Sequence, residues 1–360
     1  MNRNTKKARG TIHKYAGTGI AGYNGDGERA DLAQLNGPAG LAFDKDNNLF
    51  VAEIQNNTIR RIDAETGIIS TVAGCGLKGF DGDGGFAVNS KLDGPEGVFV
   101  DSHGNIYIAD TNNERIRKVN SHTGIIHTIA GTGEAGYNGD NIQARDSKLN
   151  HPSGVVVDTN GNIYFNDYKN DRVRKINSEG IISTFAGTGI YGYSGDNGPA
   201  DKSQINDVYG LAMDRYDNIY IMDSLNFAVR KVDAKSGIIS TVIGKGKPGP
   251  IIEFESINDS FIGGVEHAKG EIGMQVAHAV EVGKKGNIIL ADTASHRIRM
   301  VDFKQNLIYT IAGNGKPGCS GDDGCALDAC LGVHGLRVDS HNNLYFVDFH
   351  NHVIRMIRFT

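Results

Sequence analysis

The sequence predicts an all-β protein, a six-bladed β-propeller built from six repeats with four antiparallel strands in each blade. Three observations lead to this prediction: an acidic residue ends a strand at regular intervals, each repeat holds four short apolar runs, and the first strand of the chain matches an outermost blade strand. The recurring acids are Glu53, Asp110, Asp167, Asp223, Asp292 and Asp348. They lie 57, 57, 56, 69 and 56 residues apart, so six copies fill the chain, with one insertion before the fifth.

The second copy shows what one repeat contains. Short runs of apolar alternation predict strands at residues 97–101, 106–110, 115–119 and 125–129. Turn residues separate the runs, including Ser102-His-Gly-Asn105 and Thr123-Gly124. Four antiparallel strands that recur six times are typical of propeller blades.

The two ends of the chain are predicted to close the ring. Residues 11–16 match a fourth strand such as Ser70-Thr-Val-Ala73, whereas residues 352–359 match a third strand. The last blade therefore lacks its outermost strand unless residues 11–16 supply it, and this pairing removes an exposed sheet edge. We expect an N-terminal tail over residues 1–10 and a single propeller over residues 11–360.

Composition and charge restrict the location and the partners. The 49 glycines agree with many tight turns, and a net charge of −5 argues against a nucleic-acid partner. Residues 1–10 lack the apolar segment of a signal peptide, and no run of 18 apolar residues exists, so we expect a cytoplasmic protein without a membrane span. The cysteines are predicted to be reduced thiols, with a Cys319–Cys325 disulfide as the alternative.

The repeat resembles a known family. The patterns Pro-x-Gly-Val-x-Val-Asp, Gly-Asn-Ile-Tyr-x-x-Asp and Asn-x-Arg-Ile-Arg-Lys-Val at residues 95–101, 104–110 and 113–119 are similar to the NHL repeat. The Gly-rich loops at residues 16–26, 130–140 and 186–196 resemble a bacterial NHL subtype. The resemblance implies the propeller fold, but it implies little about activity because propellers carry many unrelated functions.

Residues that recur in nearly every repeat are interpreted as framework. The strand-end acids are expected to accept hydrogen bonds from loop amides. Arg115, Arg172 and Arg297 are expected to pair with carboxylates or carbonyls of neighbouring blades. The same structural interpretation applies to the loop aspartates Asp26, Asp83, Asp140, Asp196 and Asp322. Calcium loops are the alternative for these aspartates, although each copy offers few carboxylates in a row.

The repeat is broken in one loop and after some of the strand-end acids. The loop at residues 245–273 loses the Gly-Asp motif and gains Glu266-His267, so it is either a cap over the channel mouth or a tolerated surface insertion. After the strand-end acids, Tyr168 and His350 are expected to reach the same mouth. His352 aligns with Glu114, a position that is expected to face solvent.

A third departure is a ring of six residues, each placed just before the glycine or alanine of a first strand. The ring consists of Ala39, Glu96, Ser153, Tyr209, His278 and His334. Because innermost strands begin there, these side chains should converge on the mouth of the channel. Imidazole and carboxylate suit a divalent metal, and either histidine suits a general base near neutral pH. The alternative is a polar channel filled with water.

The two ring histidines carry a second resemblance. Val276-Ala-His278-Ala and Gly332-Val-His334-Gly are similar to segments at the same strand starts of streptogramin lyase, and peptidyl-hydroxyglycine amidating lyase places zinc-binding histidines at this position. The resemblance implies a metal-assisted lyase with a histidine base. Two departures stand against it: proline is missing before both histidines, and streptogramin lyase has seven blades.

We therefore predict a lyase or hydrolase that acts on a small polar molecule at the channel mouth with a divalent metal, Zn, Mg or Ca. The predicted metal ligands are His278, His334 and Glu96. One histidine would act as the base, and the predicted proton-transferring residues are Tyr209, Tyr168 and His350. The predicted substrate contacts are Glu96, Ser153, Glu53 and Phe349. The alternative is a non-catalytic NHL module that binds a ligand or a protein on one face, while RNA binding conflicts with the net charge.

Overall fold

Six antiparallel sheets surround a central channel in the computed structural model of the chain, which describes residues 10–263 and 277–359. Each sheet is one blade with four or five strands, and blade 1 begins at Pro38. The innermost strands of neighbouring blades contact one another around the whole ring, including blade 6 against blade 1. The predicted six-bladed propeller is confirmed.

The strands of the first three blades are as follows. Blade 1 consists of Pro38–Phe43, Leu49–Glu53, Thr58–Ile62 and Ile69–Ala73. Blade 2 consists of Pro95–Val100, Ile106–Asp110, Arg115–Val119 and Ile126–Ala130. Blade 3 consists of Pro152–Val157, Ile163–Asp167, Arg172–Ile176 and Ile181–Ala186, with the short strand Ile142–Gln143 outside them.

The other three blades repeat the order. Blade 4 consists of Val208–Met213, Ile219–Asp223, Ala228–Val232 and Ile238–Gly244, with Gly198–Pro199 outside. Blade 5 consists of Ala279–Val282, Ile288–Asp292, Arg297–Asp302 and Leu307–Ala312, with Glu255–Ser256 outside. Blade 6 consists of Val333–Val338, Leu344–Asp348, Val353–Phe359 and Gly10–Ala16.

Short 3₁₀ helices occupy two recurring places. One set lies in the loops that lead from one blade to the next, at Ala30–Leu32, Ala87–Asn89, Ala144–Asp146, Ala200–Lys202, Ile257–Asp259 and Ala326–Asp328. The other set follows the second strands, at Thr111–Asn113, Tyr168–Asn170, Ser224–Asn226, Thr293–Ser295 and Phe349–Asn351. None of the helices in the described part of the chain has the length and apolar character that a membrane span needs.

The N-terminal strand closes the ring as the sequence predicts. Gly10–Ala16 pairs antiparallel with Val353–Phe359, from Gly10 opposite Phe359 to Ala16 opposite Ile354. In blade 2, the second and third strands have their predicted limits, whereas the first begins two residues earlier, at Pro95, and the fourth ends one residue later, at Ala130. The outer two-residue strands of blades 3, 4 and 5 were not predicted.

The apolar core consists of six clusters, and each cluster lies between two neighbouring blades. Blades 1 and 2, for example, share Ile59, Leu92 and Ile108. Blades 5 and 6 share Ile298, Leu331 and Phe346. Burial of apolar area at about 25 cal/mol per Å² therefore stabilises the association of blades, so the ring is held by its interfaces rather than by separate blade cores.

The strand-end acids are framework residues, as predicted. Asp110 accepts a hydrogen bond from the amide of Asp93 at 2.8 Å, and Asp223 accepts one from the amide of Asn206 at 2.7 Å. Burial raises the pKa of Asp110 to about 6. Each acid also lies beside a fully buried arginine of the third strand, a partner that the sequence analysis missed: Arg60, Arg117, Arg174, Arg230, Arg299 and Arg355.

Five of these buried arginines also bind the loop aspartates. Arg60 contacts Asp26 at 2.7 Å, and Arg117 contacts Asp83 at 2.8 Å. Asp140, Asp196 and Asp322 make the equivalent ion pairs. These carboxylates bind a guanidinium, so the structural interpretation of the loops fits better than the calcium alternative. By contrast, Arg115 and Arg172 donate to nearby carbonyls, of Thr132 and Thr188 among others.

Blade 5 departs from this framework. Within the described residues of its loop no aspartate pairs with Arg299, which donates instead to the carbonyl of Phe261 at 2.9 Å. Burial lowers the pKa of Arg299. Glu253 accepts a hydrogen bond from the amide of Thr310 at 2.8 Å, the role that Asp83 plays for Thr128 in blade 2. Glu266 and His267 lie outside the described residues, so the predicted cap over the channel stays a prediction.

Candidate functional site

All six predicted ring residues line one cavity of about 80 Å³ at the mouth where the first strands begin. Ala39, Ser153 and His278 are buried, whereas Glu96, Tyr209 and His334 are half-buried. Each comes from a different blade, so the repeat itself brings them together. The volume has room for a few water molecules or one small polar group.

The residue after each ring position explains how close the innermost strands come. A Cβ on Gly210 would lie 2.7 Å from the carbonyl oxygen of His278 in the next blade, and a Cβ on Gly97 would overlap the carbonyl oxygen of Ser153. Glycine is therefore required by the close approach of neighbouring backbones. Blade 5 has Ala279 at this position, and its first strand begins there, later than in the other blades.

Aromatic rings form a continuous wall on one side of the mouth. The rings of His278 and His334 are stacked, with centroids 4.6 Å apart and an interplanar angle of 19°. The Tyr209 ring meets both imidazoles edge-on, at 4.9 and 5.7 Å. The Phe349 ring also stacks on His334, with centroids 5.3 Å apart. The wall fixes the orientation of both imidazoles.

Glu96 is the acidic group of the cavity. Burial raises its pKa to about 7, although a hydrogen bond with Tyr209 and the charge of Lys169 oppose the increase. Burial also raises the pKa of Tyr209, and the neighbouring Glu96 carboxylate adds to this effect. Glu96 is therefore a carboxyl that exchanges its proton near neutral pH, held by a tyrosine that stays protonated.

His334 is a neutral imidazole. Burial lowers its pKa well below the usual value, and the nearby imidazoles of His278 and His350 lower it further. At neutral pH the ring therefore carries one proton and keeps one nitrogen as an acceptor.

Blade 3 supplies one polar side chain to the cavity lining, Ser153, and a second one, Asn166, that contacts the backbone of the lining residue Tyr209. Ser153 is buried, and its hydroxyl makes no hydrogen bond within the described residues. Asn166, which the sequence analysis missed, donates from its side-chain amide to the carbonyl of Tyr209, while its side-chain oxygen has no described partner. Its signal in the sequence is a break in the repeat, because the equivalent positions are Ala52, Ala109, Met222, Ala291 and Val347.

Tyr168, Phe349 and His350 form an outer layer around the mouth and do not line the cavity itself. The Tyr168 ring meets Tyr209 edge-on at 5.5 Å, and the exposed His350 ring meets Phe349 at 5.0 Å. Burial and a hydrogen bond with Asp207 raise the pKa of Tyr168. These residues are therefore placed to contact a molecule as it enters.

Glu53 is not part of the mouth, which corrects its prediction as a substrate contact. Its side chain is fully buried and accepts hydrogen bonds from the amide of Asn36 at 2.9 Å and from the Asn56 side chain, and it lies 3.5 Å from Arg60. Burial raises its pKa to about 7. Glu53 occupies the same framework position as the strand-end aspartates.

The expectation that Glu114 faces solvent is also wrong, and His352 is only partly exposed. Glu114 is 7% exposed and accepts a hydrogen bond from the amide of His151 in the following loop. The imidazole of His352 accepts one from the amide of Gly37 at 3.3 Å. In blades 2 and 6 this position therefore ties the blade to the loop of the next one.

The imidazoles of the predicted metal ligands His278 and His334 do not point toward a common ion position. Imidazole lone pairs lie in the ring plane, so two nearly parallel rings with centroids 4.6 Å apart direct their lone pairs side by side. A zinc–nitrogen distance of about 2.0–2.1 Å does not allow one ion to bind both. Within residues 10–263 and 277–359, no group of three His, Cys, Asp or Glu side chains is spaced to hold an ion. The four cysteines are free thiols, as predicted.

The fold and the site define a six-bladed β-propeller with a polar, aromatic channel mouth. A family model of the teneurin NHL domain matches residues 77–137 and 132–191. NHL repeat-containing protein 2 of Bos taurus is 24% identical over 77% of this chain, and the chloroplastic protein SUPPRESSOR OF QUENCHING 1 of Arabidopsis thaliana is 27% identical over 91%. The chain spans only 40% and 31% of these relatives. Residues 77–191, which include blades 2 and 3, therefore resemble NHL repeats.

Solved structures show the same fold. A gluconolactonase of Xanthomonas campestris has a TM-score of 0.59 and 11% identity, covering 100% of this chain and 94% of its own. Streptogramin B lyase has a TM-score of 0.55 and 14% identity, covering 98% of this chain and 99% of its own. At these identities the similarity establishes the fold alone.

Proposed function

We propose that the channel mouth is the active site of a lyase or hydrolase that acts on a small polar molecule by general acid–base catalysis. The observation that carries the proposal is the contact of Glu96, whose pKa is about 7, with Tyr209, whose ring in turn meets both imidazoles. An acid whose pKa lies near the working pH transfers protons most efficiently. The gluconolactonase and the streptogramin lyase support the idea that this fold can carry such chemistry.

The side chains have separate roles in this proposal. The imidazole of His278 or His334 removes a proton from the substrate, and the neutral state of His334 leaves a nitrogen able to accept it. Glu96, when protonated, donates to the leaving oxygen, and Tyr209 holds its carboxyl in place. The Ser153 hydroxyl is available to bind a polar group of the substrate. The aromatic wall excludes water from one side.

The test is a screen of small lactones and esters, and of substrates that eliminate, followed by kinetics on the best one. We expect Glu96→Gln to lower kcat about 100-fold or more and to remove the ionisation near pH 7 from the kcat profile. The control Glu179→Gln changes an exposed turn residue and should leave the profile intact. A Glu96→Gln profile identical to that of the wild type would rule out the proposed role.

Metal assistance stays a prediction from the sequence. It requires one of the stacked imidazoles to turn so that both rings reach the same ion. Elemental analysis of the wild type and of His278→Ala/His334→Ala tests this requirement. A metal that is present in the wild type and lost from the variant supports it, and equal metal content in both contradicts it.

A binding module is the second candidate, and one specific observation favours it. Large apolar side chains are exposed at the tips of three equivalent inter-blade loops: Ile20, Leu77 and Ile190 are 61–63% exposed, and Tyr191 is 73% exposed. The fourth strands run toward the mouth, so these loops surround it, and exposed apolar groups on a monomer are typical of interaction surfaces. Ile20→Ser/Leu77→Ser/Ile190→Ser would abolish partner binding but leave catalysis intact.

A further inference from the structure

The channel below the ring residues contains an ion pair between two blades. Arg337 of blade 6 contacts Glu281 of blade 5, with 2.6 Å between Nη1 and a carboxylate oxygen. The Nε of Arg337 also donates to the carbonyl of Leu41 in blade 1 at 3.0 Å. The two side chains are only 19% and 16% exposed. One guanidinium thus joins three blades inside the channel.

The fold does not require charges at this height. The equivalent first-strand positions of the other four blades are Ala42, Phe99, Val156 and Ala212. Removing two charges from water is unfavourable, and apolar side chains of similar volume commonly replace such pairs without loss of stability. Glu281 and Arg337 each lie three residues after a ring histidine. The two blades that carry a histidine in the ring are therefore the same two blades that carry a charge deeper in the channel.

Arg337 lies between two cavities. It lines the mouth cavity of about 80 Å³ together with the ring residues. It also lines a second cavity of about 170 Å³, whose other walls include Phe43, Phe99 and Met213. Within the described residues its Nη2 makes no hydrogen bond, although Nε and Nη1 do. The guanidinium therefore forms the floor of the mouth cavity, and its Nη2 is available to donate hydrogen bonds to a bound molecule.

We propose that Arg337 binds a small oxyanion, a carboxylate or a phosphate, carried by the molecule that enters the mouth, and that Glu281 is the counter-ion when the site is empty. A planar guanidinium matches an oxyanion with two parallel hydrogen bonds. The inference rests on the proposed function in one respect only, since it makes the substrate of that site an anionic molecule. It assigns Arg337 as a specificity residue.

The pairing with Glu281 gives the proposal a distinctive consequence. An incoming oxyanion competes with the Glu281 carboxylate for the same guanidinium. Neutralising Glu281 should therefore strengthen anion binding, whereas neutralising Arg337 should abolish it. A purely structural ion pair predicts that both substitutions only lower the free energy of unfolding.

The experiment is a calorimetric titration of the full chain with sodium acetate and, separately, with inorganic phosphate, at constant ionic strength set with chloride. We expect saturable binding of at least one probe by the wild type, binding at least tenfold tighter by Glu281→Gln, and none by Arg337→Met. Arg215→Met removes an exposed arginine elsewhere and should bind as the wild type does. The double variant Glu281→Gln/Arg337→Met removes both charges of the pair. It replaces Arg337→Met in the titration if that variant does not fold.

Three results would each overturn the proposal. The first is that neither the wild type nor Glu281→Gln binds a probe saturably. The second is that Glu281→Gln binds more weakly than the wild type, and the third is that the wild type and the double variant bind equally. The titration needs no turnover, so it is independent of catalysis. Anion binding without any activity would contradict only the proposed function, and activity without anion binding would contradict only the role of Arg337.

Discussion

The imidazole rings of His278 and His334 stack across a blade interface, with centroids 4.6 Å apart, although each belongs to a different sheet. The contact arises because His278 and His334 occupy the same position of the repeat in two neighbouring blades and line the same cavity. Two imidazolium charges at this separation would repel each other strongly in a partly buried site. The neighbouring imidazole therefore adds to burial in lowering the pKa of His334, and the His334 ring is neutral.

The dependence of stability on pH should reveal the neutral state of His334. Its pKa is lowered in the folded protein, so below about pH 6.5 the unfolded chain takes up a proton that the folded one does not. The free energy of unfolding then falls as the pH falls, by at most about 1.4 kcal/mol per pH unit for one group. We expect His334→Phe to lose less stability than the wild type between pH 7 and pH 5, measured by urea unfolding.

The pH dependence of stability must be compared between His334→Phe and the wild type. Buried acids change the free energy of unfolding in the opposite direction as the pH falls. Burial raises the pKa of Glu53 to about 7 and of Asp110 to about 6, so these groups favour the folded state as the pH falls. They are unchanged in His334→Phe and cancel. His122→Phe, in an exposed turn, is the control and should follow the wild type. Parallel curves for His334→Phe and the wild type would contradict the prediction.

Tyr209→Phe should raise the pKa of Glu96 above its value of about 7. The Tyr209 hydroxyl hydrogen-bonds the carboxylate and so favours its charged form, and the substitution leaves the burial that raises the pKa. The pKa is measured by carbon NMR of glutamate carboxyls, with the Glu96 signal assigned from Glu96→Gln. Tyr168→Phe is a matched control, because the Tyr168 hydroxyl hydrogen-bonds Asp207. An unchanged or lower pKa of Glu96 in Tyr209→Phe would show that the hydroxyl does not favour the charged carboxylate.

The fold and the ring of six mouth residues could be predicted because both depend on position within the repeat. The period of the strand-end acids sets the number of blades, and the position before the first-strand glycine sets which side chains meet. Side-chain partners were harder to predict. In Arg115-Ile-Arg117, both arginines fit a strand, but only Arg117 points into the blade toward Asp110 and Asp83.

Groups that act across a blade interface carry no local signal. Glu114 looks like an exposed turn residue, and its burial depends on the loop of the next blade, whose His151 amide it binds. Asn166, Glu281 and Arg337 break the repeat at positions that were not compared between copies. Aligning every column of the repeat, rather than the strand ends and strand starts, would have found all three.

Removing a buried framework arginine should cost more in blade 2 than in blade 5. Arg117 lies 3.2 Å from Asp110 and 2.8 Å from Asp83, whereas Arg299 lies 3.9 Å from Asp292 and has no loop aspartate within the described residues. Breaking a buried pair by removing one partner typically costs about 3–5 kcal/mol. We expect Arg117→Met to lose stability in this range and Arg299→Met to lose clearly less, measured by urea unfolding.

The half-exposed partner of the same pair provides the control. Asp83→Asn should cost no more than about 1 kcal/mol, because ion pairs with solvent access are weak. It also remains measurable if Arg117→Met does not fold. Equal losses for Arg117→Met and Arg299→Met would mean that the loop carboxylates contribute little to the framework.

The close approach of neighbouring blades at the mouth can be tested with Gly→Ala and Ala→Gly substitutions. A Cβ on Gly97 would overlap the carbonyl oxygen of Ser153, so Gly97→Ala must push blades 2 and 3 apart exactly where Glu96 and Ser153 line the cavity. We expect the free energy of unfolding to fall by about 1–3 kcal/mol, as for other overpacked sites, and the pKa of Glu96 to move closer to its ordinary value as water enters.

Gly283→Ala, whose Cβ would have its nearest neighbour at 3.6 Å, is the control and should be nearly neutral. Ala279→Gly, at the position where blade 5 already carries a Cβ, should not open the mouth. If Gly97→Ala matches Gly283→Ala in both stability and the pKa of Glu96, the close approach of the innermost strands does not control the cavity.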